Sequence, residues 1–350
     1  MNLLYSDPLT FRFYWMDENG NATSMFRKQG RFHENSLTLE ETEIPVVAIL
    51  HCVLKEDRLI LSAATGDEEQ PIVSFLIGIA NAKTAKELKQ RIDVARSSLW
   101  AAHHKTALAE KGQSSIYRDA HCDDCGATLI LTNMPETPQR YCHFCDSLKT
   151  IDGTLEPIAN EAEFRICESC GMYSRPKKFT TFYFYFLLVV WGFNSNSSYR
   201  CGGCMRGEAW KMLLGNFIFI LGLPFAIYQL IRAYAGDTVT GKFKGLDKGN
   251  VKARAGNIDA ALEQYEAILE RVPWSAGVKY NLGLALIQKQ DLVHATQILE
   301  MALEDCANYS PAYQHLCGLY EHQGETGKLT AIKQIWDDLE EPEEVTTADS

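Results

Sequence analysis

Eight of the eleven cysteines in this 350-residue chain stand in four Cys-x-x-Cys pairs: Cys122 with Cys125, Cys142 with Cys145, Cys167 with Cys170, and Cys201 with Cys204. Two thiolates on a tight knuckle chelate one edge of a tetrahedron, and a second knuckle supplies the opposite edge. Sixteen residues separate Cys125 from Cys142, a spacing that brings two knuckles onto one ion. Thirty separate Cys170 from Cys201, a longer loop than such sites commonly use. The expected cofactor is zinc, two ions per chain, although iron is chemically allowed at the same spacing. Cys52, Cys306 and Cys317 lie in apolar runs and read as buried thiols.

Residues 117–150 resemble a zinc ribbon, with Ala127–Thr132 and the prolines 135 and 138 reading as strand and turn between the knuckles. Residues 164–207 read as a second ribbon. Its interior, Phe182–Trp191, is rich in aromatic and β-branched residues, so a hairpin is expected there rather than a helix. Two alternatives use the same cysteines. The four pairs could interleave as a cross-brace of the RING or FYVE kind, which would imply ubiquitin transfer or lipid reading, but neither a ligand histidine nor a basic Arg-His-His-Cys motif is present. Thioredoxin-type redox or electron transfer needs a thiol activated at a helix start, whereas these pairs read as turns. His121 and His143 adjoin the pairs and read as neighbours of the ligands rather than ligands.

The N-terminal part must be a β domain. Short apolar runs at Phe11–Trp15, Leu37–Leu39, Val46–Leu50, Leu59–Leu61 and Ile72–Ile77 are separated by turn signals at Asn19-Gly20-Asn21 and Thr65-Gly66-Asp67. The period then changes to that of a helix, with Thr84 and Glu87 as a capping box and Leu88, Ile92, Ala95, Leu99 and Ala102 on one face to about Glu110. Strands closed by one C-terminal helix over residues 1–112 resemble a bacterial pleckstrin-homology-like domain. The resemblance implies a small barrel that binds lipid headgroups or peptides, yet Asp17 and Glu18 in the first turn argue against a phosphoinositide site.

Met212–Ile231 carries no charge over 20 residues, about 30 Å as a helix, so residues 212–234 are expected to form a membrane segment that either spans or re-enters, kinked at Gly222 and Pro224. Basic residues flank both ends, giving no orientation. From Gly249 to Trp336 a 34-residue period emerges, with Gly249 and Gly283, Ala261 and Ala295, and Leu282 and Leu316 in register. Residues 245–338 therefore resemble tetratricopeptide repeats, an all-α solenoid. The resemblance implies a concave groove for a protein or peptide partner, with Tyr280, Leu284, Ile287, Gln314 and His322 on it. Asn250 and Asn281 fall at carboxylate-clamp positions but lack the clamp's basic partners.

Net charge is −11, unevenly spread: residues 167–254 hold 12 basic against 4 acidic residues, and residues 255–350 hold 17 acidic against 5 basic. Because the basic block is also the most apolar, an anionic membrane is a better match than nucleic acid, which is not expected as a partner. Gly236–Lys242 nearly spells a phosphate-binding loop, but Phe243 stands where a magnesium-holding hydroxyl belongs. No catalytic motif is found, and residues 339–350 read as a disordered acidic tail. With no secretory signal in the sequence, the soluble domains are expected in the cytoplasm. The expected protein is a non-enzymatic, membrane-associated zinc adaptor that recruits partners through its repeats; a zinc-dependent ligase or a redox protein is the alternative.

Overall fold

The structure is a computed structural model that describes residues 7–18, 20–55, 57–65, 71–187, 190–217, 222–235 and 239–337; side chains of 184–187 and 190–196 lie outside the description. The chain divides after Asn133 into two compact units.

The first unit holds a seven-stranded antiparallel sheet of β1 (Leu9–Trp15), β2 (Lys28–His33), β3 (Ser36–Leu39), β4 (Thr42–Pro45), β5 (Ile49–Lys55), β6 (Arg58–Ala64) and β7 (Ile72–Ile79). Its order is β4-β3-β2-β1-β7-β6-β5, so β1 joins two meanders through its pairing with β7. Alternation along each strand sends Phe11, Phe13, Leu37, Leu39, Leu59, Leu61 and Ile77 to one buried side. Helix α1 (Ala82–Glu110) closes the core with Leu88 and Ile92. Two expectations change here. Val46–Ala48 is a 3-10 turn and the strand begins at Ile49. The helix is capped by the Asn81 side chain, which accepts from the Lys83 amide, so Thr84 lies inside the helix instead of capping it. Asn19, Gly66 and Asp67 of the two expected turns lie outside the described residues. In the same unit, β8 (Asp119–His121) pairs with β9 (Thr128–Ile130), and the Thr128 amide donates to Ser97 of α1.

The second unit contains the hairpin of β10 (Gln139–Cys142) and β11 (Ser147–Thr150) and the short pair β12 (Arg165–Ile166) and β13 (Tyr173–Ser174). The expected aromatic hairpin is present: β14 (Lys177–Leu187) pairs in continuous register with β15 (Val190–Arg200). Two helices follow, α2 (Gly202–Phe217) and α3 (Leu223–Ala235). The segment expected to hold the repeats forms α4 (Leu246–Arg254), α5 (Ile258–Leu269), α6 (Ala276–Gln288), α7 (Leu292–Asp305), α8 (Ser310–Gln323) and α9 (Thr326–Asp337).

The single apolar helix expected over Met212–Ile231 is therefore corrected. Trp210 Nε1 donates to the Tyr234 hydroxyl at 3.0 Å, a contact that requires α3 to run back along α2. Pro224 stands in the first turn of α3, where its missing amide costs nothing, so it starts a second helix instead of kinking one. At 16 and 13 residues the two helices are about 24 and 20 Å long, against about 30 Å of bilayer hydrocarbon. No helix among the described residues is long and apolar enough to cross a membrane. Residues 218–221, and the acidic tail from 338 on, lie outside the described residues.

In the repeats, Ala261, Ala295, Ala302 and Ala312 are buried where helices approach, and Tyr265, Leu282, Leu299 and Leu316 fill the gaps between them. A buried ion pair, Lys279 with Asp305, ties α6 to α7, and desolvation raises the Asp305 carboxyl above its usual range. Breaking a buried pair on one side strands the other charge. Lys279→Met should therefore cost about 3–5 kcal/mol by urea unfolding at saturating metal, and adding Asp305→Leu should recover much of the loss. A single variant as stable as the parent would refute the pair's role.

Candidate metal centres and the repeat groove

Both expected quartets form. The structure brings together Cys122, Cys125, Cys142 and Cys145, and separately Cys167, Cys170, Cys201 and Cys204, with the ligand atoms of each group within 4.8 Å of one another. None of the eleven cysteines is in a disulfide. Because the quartets are sequential, the interleaved cross-brace is excluded: it would have grouped Cys122 and Cys125 with Cys167 and Cys170.

The first knuckle of each quartet is built alike. In Cys122-Asp-Asp-Cys125-Gly126, the Gly126 amide donates to the Cys122 carbonyl and the Cys122 amide donates to Ala127. In Cys167-Glu-Ser-Cys170-Gly171, the Gly171 amide donates to the Cys167 carbonyl and the Cys167 amide donates to Met172. Both turns need a left-handed residue after the second cysteine, and Gly126 (φ 81°) and Gly171 (φ 69°) supply it without strain. The last pair differs from expectation. Cys201 precedes α2 and Cys204 lies in its first turn, so this knuckle is a helix start rather than a free turn.

The donor set of the second quartet fits a tetrahedral ion. At a metal–sulfur distance of about 2.3 Å the edges of a tetrahedron measure about 3.8 Å, and Cys170 Sγ lies 3.9 Å from Cys201 Sγ. The four thiols are hydrogen-bonded among themselves, which lowers Cys167 and raises Cys170 and Cys201 relative to an ordinary thiol. Outside the quartet, the Cys201 amide donates to Cys167 Sγ at 3.2 Å, and the Arg254 guanidinium of α4 donates to Cys204 Sγ. These donors offset the charge that four thiolates would place on one ion. Cys52 and Cys306 are buried, and burial pushes the Cys52 thiol up to about 12 and raises Cys306 further. Cys317 is half-buried instead of fully buried. His121 faces Thr128, and His143 lies against the Phe144 ring.

The groove residues named from the repeat register do not form one open surface. Tyr280 is buried: its ring meets Tyr309 edge-on, and its hydroxyl donates to the carbonyl of Gly171, the knuckle glycine. Leu284 and Ile287 are half-buried against the core, and Gln314 and His322 are exposed. The segment that covers Tyr280 belongs to the chain itself. Asn281 accepts from the Tyr173 amide at 2.8 Å and donates to its carbonyl at 2.7 Å; Asn250 donates to that carbonyl at 3.0 Å. The same two-bond grip recurs at Asn308, which accepts from the Tyr141 amide at 3.0 Å and donates to its carbonyl at 2.7 Å. The Tyr173 ring occupies the space a side chain at Gly277 would need, 2.5 Å from an ideal Cβ. Sequence reasoning placed Asn250 and Asn281 on the groove but missed that their ligand is in cis. Asn308 carried no signal, since it precedes α8 in a loop.

The tetratricopeptide repeat family model matches residues 252–320. No curated protein matches the chain. The match over residues 252–320 suggests interaction with other proteins, and each of the two thiol groups could hold a metal ion.

Elemental analysis should find about two metal ions per chain, one for each set of four thiolates. Cys204→Ser should leave about one, and acidification should release metal, because protons compete for the ligand thiolates. A folded chain without bound metal would contradict the assignment. For the groove, Asn281→Ala leaves the Tyr173 amide without its acceptor and should cost about 1–3 kcal/mol. Hydrogen exchange at Tyr173 should accelerate while the α7 amides keep their protection; unchanged exchange would show that the grip is dispensable.

Proposed function

We propose that this chain is a non-enzymatic adaptor that sits on a membrane surface, with zinc in both thiol centres and the repeats as its protein-recruiting part. The observation that carries the membrane half is the pattern of burial in the α2/α3 hairpin. Beside Met205 and Met212 of α2, the buried residues of the hairpin are small or polar: Ala209, Asn216, Ala226, Gln229 and Ala233 are at most 2% exposed. Each helix exposes large apolar ones: Leu214 is 70% exposed, Phe217 72%, Tyr228 59% and Ile231 62%. Water favours the opposite arrangement, whereas helices that meet lipid place small and polar residues between themselves and large apolar ones outward. Trp210 and Tyr234, hydrogen-bonded to each other and half-exposed, with Arg206 over the Tyr234 ring, match the aromatic and cationic belt of a bilayer interface. Neither helix has spanning length, so the hairpin is an interfacial anchor.

Zinc is the metal this reading assigns, on the all-thiolate donor set, and it acts structurally by closing both knuckles. Because the chain's own ribbon engages the groove at Tyr280, partner recruitment falls to the end of the array around Gln314 and His322. Cysteines free of disulfides support placing these parts in the cytoplasm. The N-terminal sheet and α1 are read as a pleckstrin-homology-like module, supported by two meanders joined through β1 and closed by one helix.

The zinc-loaded chain should co-sediment with vesicles of mixed phosphatidylcholine and phosphatidylserine. Leu214→Asp combined with Phe217→Asp should weaken binding at least tenfold, since each side chain is worth roughly 1.5–3 kcal/mol of burial. Both residues are exposed, so the fold should tolerate the change; vesicle binding that survives it would sink the anchor.

A further inference from the structure

A cavity of about 760 Å³ lies in the second unit, walled by α2, α3, α4 and α5 and by the segment around Arg175, within the size range of small-ligand sites. Its described lining carries seven basic side chains, among them Arg206, Lys244, Lys248 and Arg271, against one carboxylate, Asp247. The basic residues have a common origin in the sequence. Lys248 and Lys252 lie one turn apart on α4, and Lys244 stands just before the helix, which begins at Leu246. Like charges at that spacing destabilise a helix. Lys244 and Lys248 are in no ion pair among the described residues, and the one carboxylate of the lining, Asp247, attracts Arg206.

Other groups in the wall are fixed. Arg271 donates to the carbonyls of Lys242 and Lys244, and Arg175 pairs with Glu163, which hold both guanidiniums in place before any ligand arrives. The cavity also borders the start of α4, where Gly245 provides no side-chain cap and the helix presents its positive end. Asp247 stands in that first turn with one carboxylate oxygen buried and without a hydrogen-bond partner, an acceptor available to a hydroxyl. Lys242, the lysine of the near phosphate-loop motif, is engaged elsewhere, with Glu156 and the Trp274 ring, so the cavity is no nucleotide loop of that kind.

We propose that this cavity binds a ligand bearing several phosphoryl groups, held by Arg206, Arg271 and the Lys244, Lys248, Lys252 row, with Asp247 taking a ligand hydroxyl. Such chemistry comes either as a phosphorylated lipid headgroup, since α2 and α3 also carry the exposed apolar face, or as a soluble polyphosphate. A pocket of about 760 Å³ favours a compact ligand over a nucleic-acid strand, which needs an extended groove.

The test is calorimetry on the zinc-loaded full chain with inorganic tripolyphosphate at near-physiological salt. Lys244→Glu with Lys248→Glu, both at exposed positions, should weaken binding at least tenfold. Lys178→Glu with Lys211→Glu, which lie outside the cavity, should leave it within twofold. Tripolyphosphate that displaces the chain from phosphatidylinositol bisphosphate vesicles, but not from phosphatidylserine vesicles of equal charge, assigns the headgroup as source. Tripolyphosphate that binds without displacing either assigns a soluble one. The Leu214→Asp, Phe217→Asp variant separates this site from the anchor, because it should keep tripolyphosphate binding whether or not vesicle binding survives. The proposal is overturned by absent tripolyphosphate binding, by equal binding in the cavity variant, or by a single-stranded oligonucleotide that outcompetes tripolyphosphate at equal charge.

Discussion

Two backbone groups of Tyr173 must be satisfied inside an apolar core, and the repeats do this with side-chain amides. A buried amide or carbonyl without a partner costs free energy comparable to a lost hydrogen bond. Asn281 meets both groups at once, and Asn250 adds a second donor to the carbonyl. The two asparagines are bonded to each other at 3.0 Å, and the Tyr265 hydroxyl donates to Asn250 at 2.9 Å, so the network has no idle member. A β-pair two residues long, such as β12 with β13, has no core of its own. It obtains one from the repeats: Tyr173, Met172 and Phe164 belong to the same buried cluster as Tyr265, Leu282 and Leu316.

That dependence reaches the metal centre. Gly171 is at once the left-handed residue of the knuckle and the acceptor for Tyr280 on α6, and Arg254 on α4 donates to Cys204. The thiol quartet, the groove and the helix that carries Lys248 and Lys252 are thus mechanically continuous. Part of the helical array's inner face is the foundation on which the β12/β13 pair folds.

The hairpin and the cavity share walls but differ in physics. On the outer face, large apolar side chains remain exposed while Asn216 and Gln229 are buried, a distribution that water would reverse. On the cavity side, seven basic side chains line the wall with one carboxylate, Asp247, and one of the seven, Arg175, is paired with Glu163. Apolar exposure and a concentration of like charge each raise the free energy of a chain in water.

Much was legible in the residues themselves. Ligand identity and knuckle geometry are local, since a Cys-x-x-Cys-Gly turn encodes its own hydrogen bonds, and the 34-residue period fixes which helix faces must meet. The apolar runs that read as strands, Phe11–Trp15, Leu37–Leu39 and Leu59–Leu61, are strands, and the structure shows which of their residues, such as Phe13, Leu39 and Leu61, face the core. Three features were decided by tertiary structure alone. Hydropathy over Met212–Ile231 is the same for one long helix or two short ones, and what made it two was a chain reversal after Phe217, with Trp210 meeting Tyr234. Occupation of the groove was invisible because it joins Tyr173 to Asn281 and Tyr141 to Asn308, more than a hundred residues apart, through backbone groups that every sequence possesses. The cavity assembles cations that are dispersed in sequence, from Arg175 and Lys177, from α2, from α4 and its approach, and from Arg271 after α5. Local pattern fixes the chemistry of a residue and its helix face, whereas the identity of what that face meets depends on contacts that no short-range periodicity records.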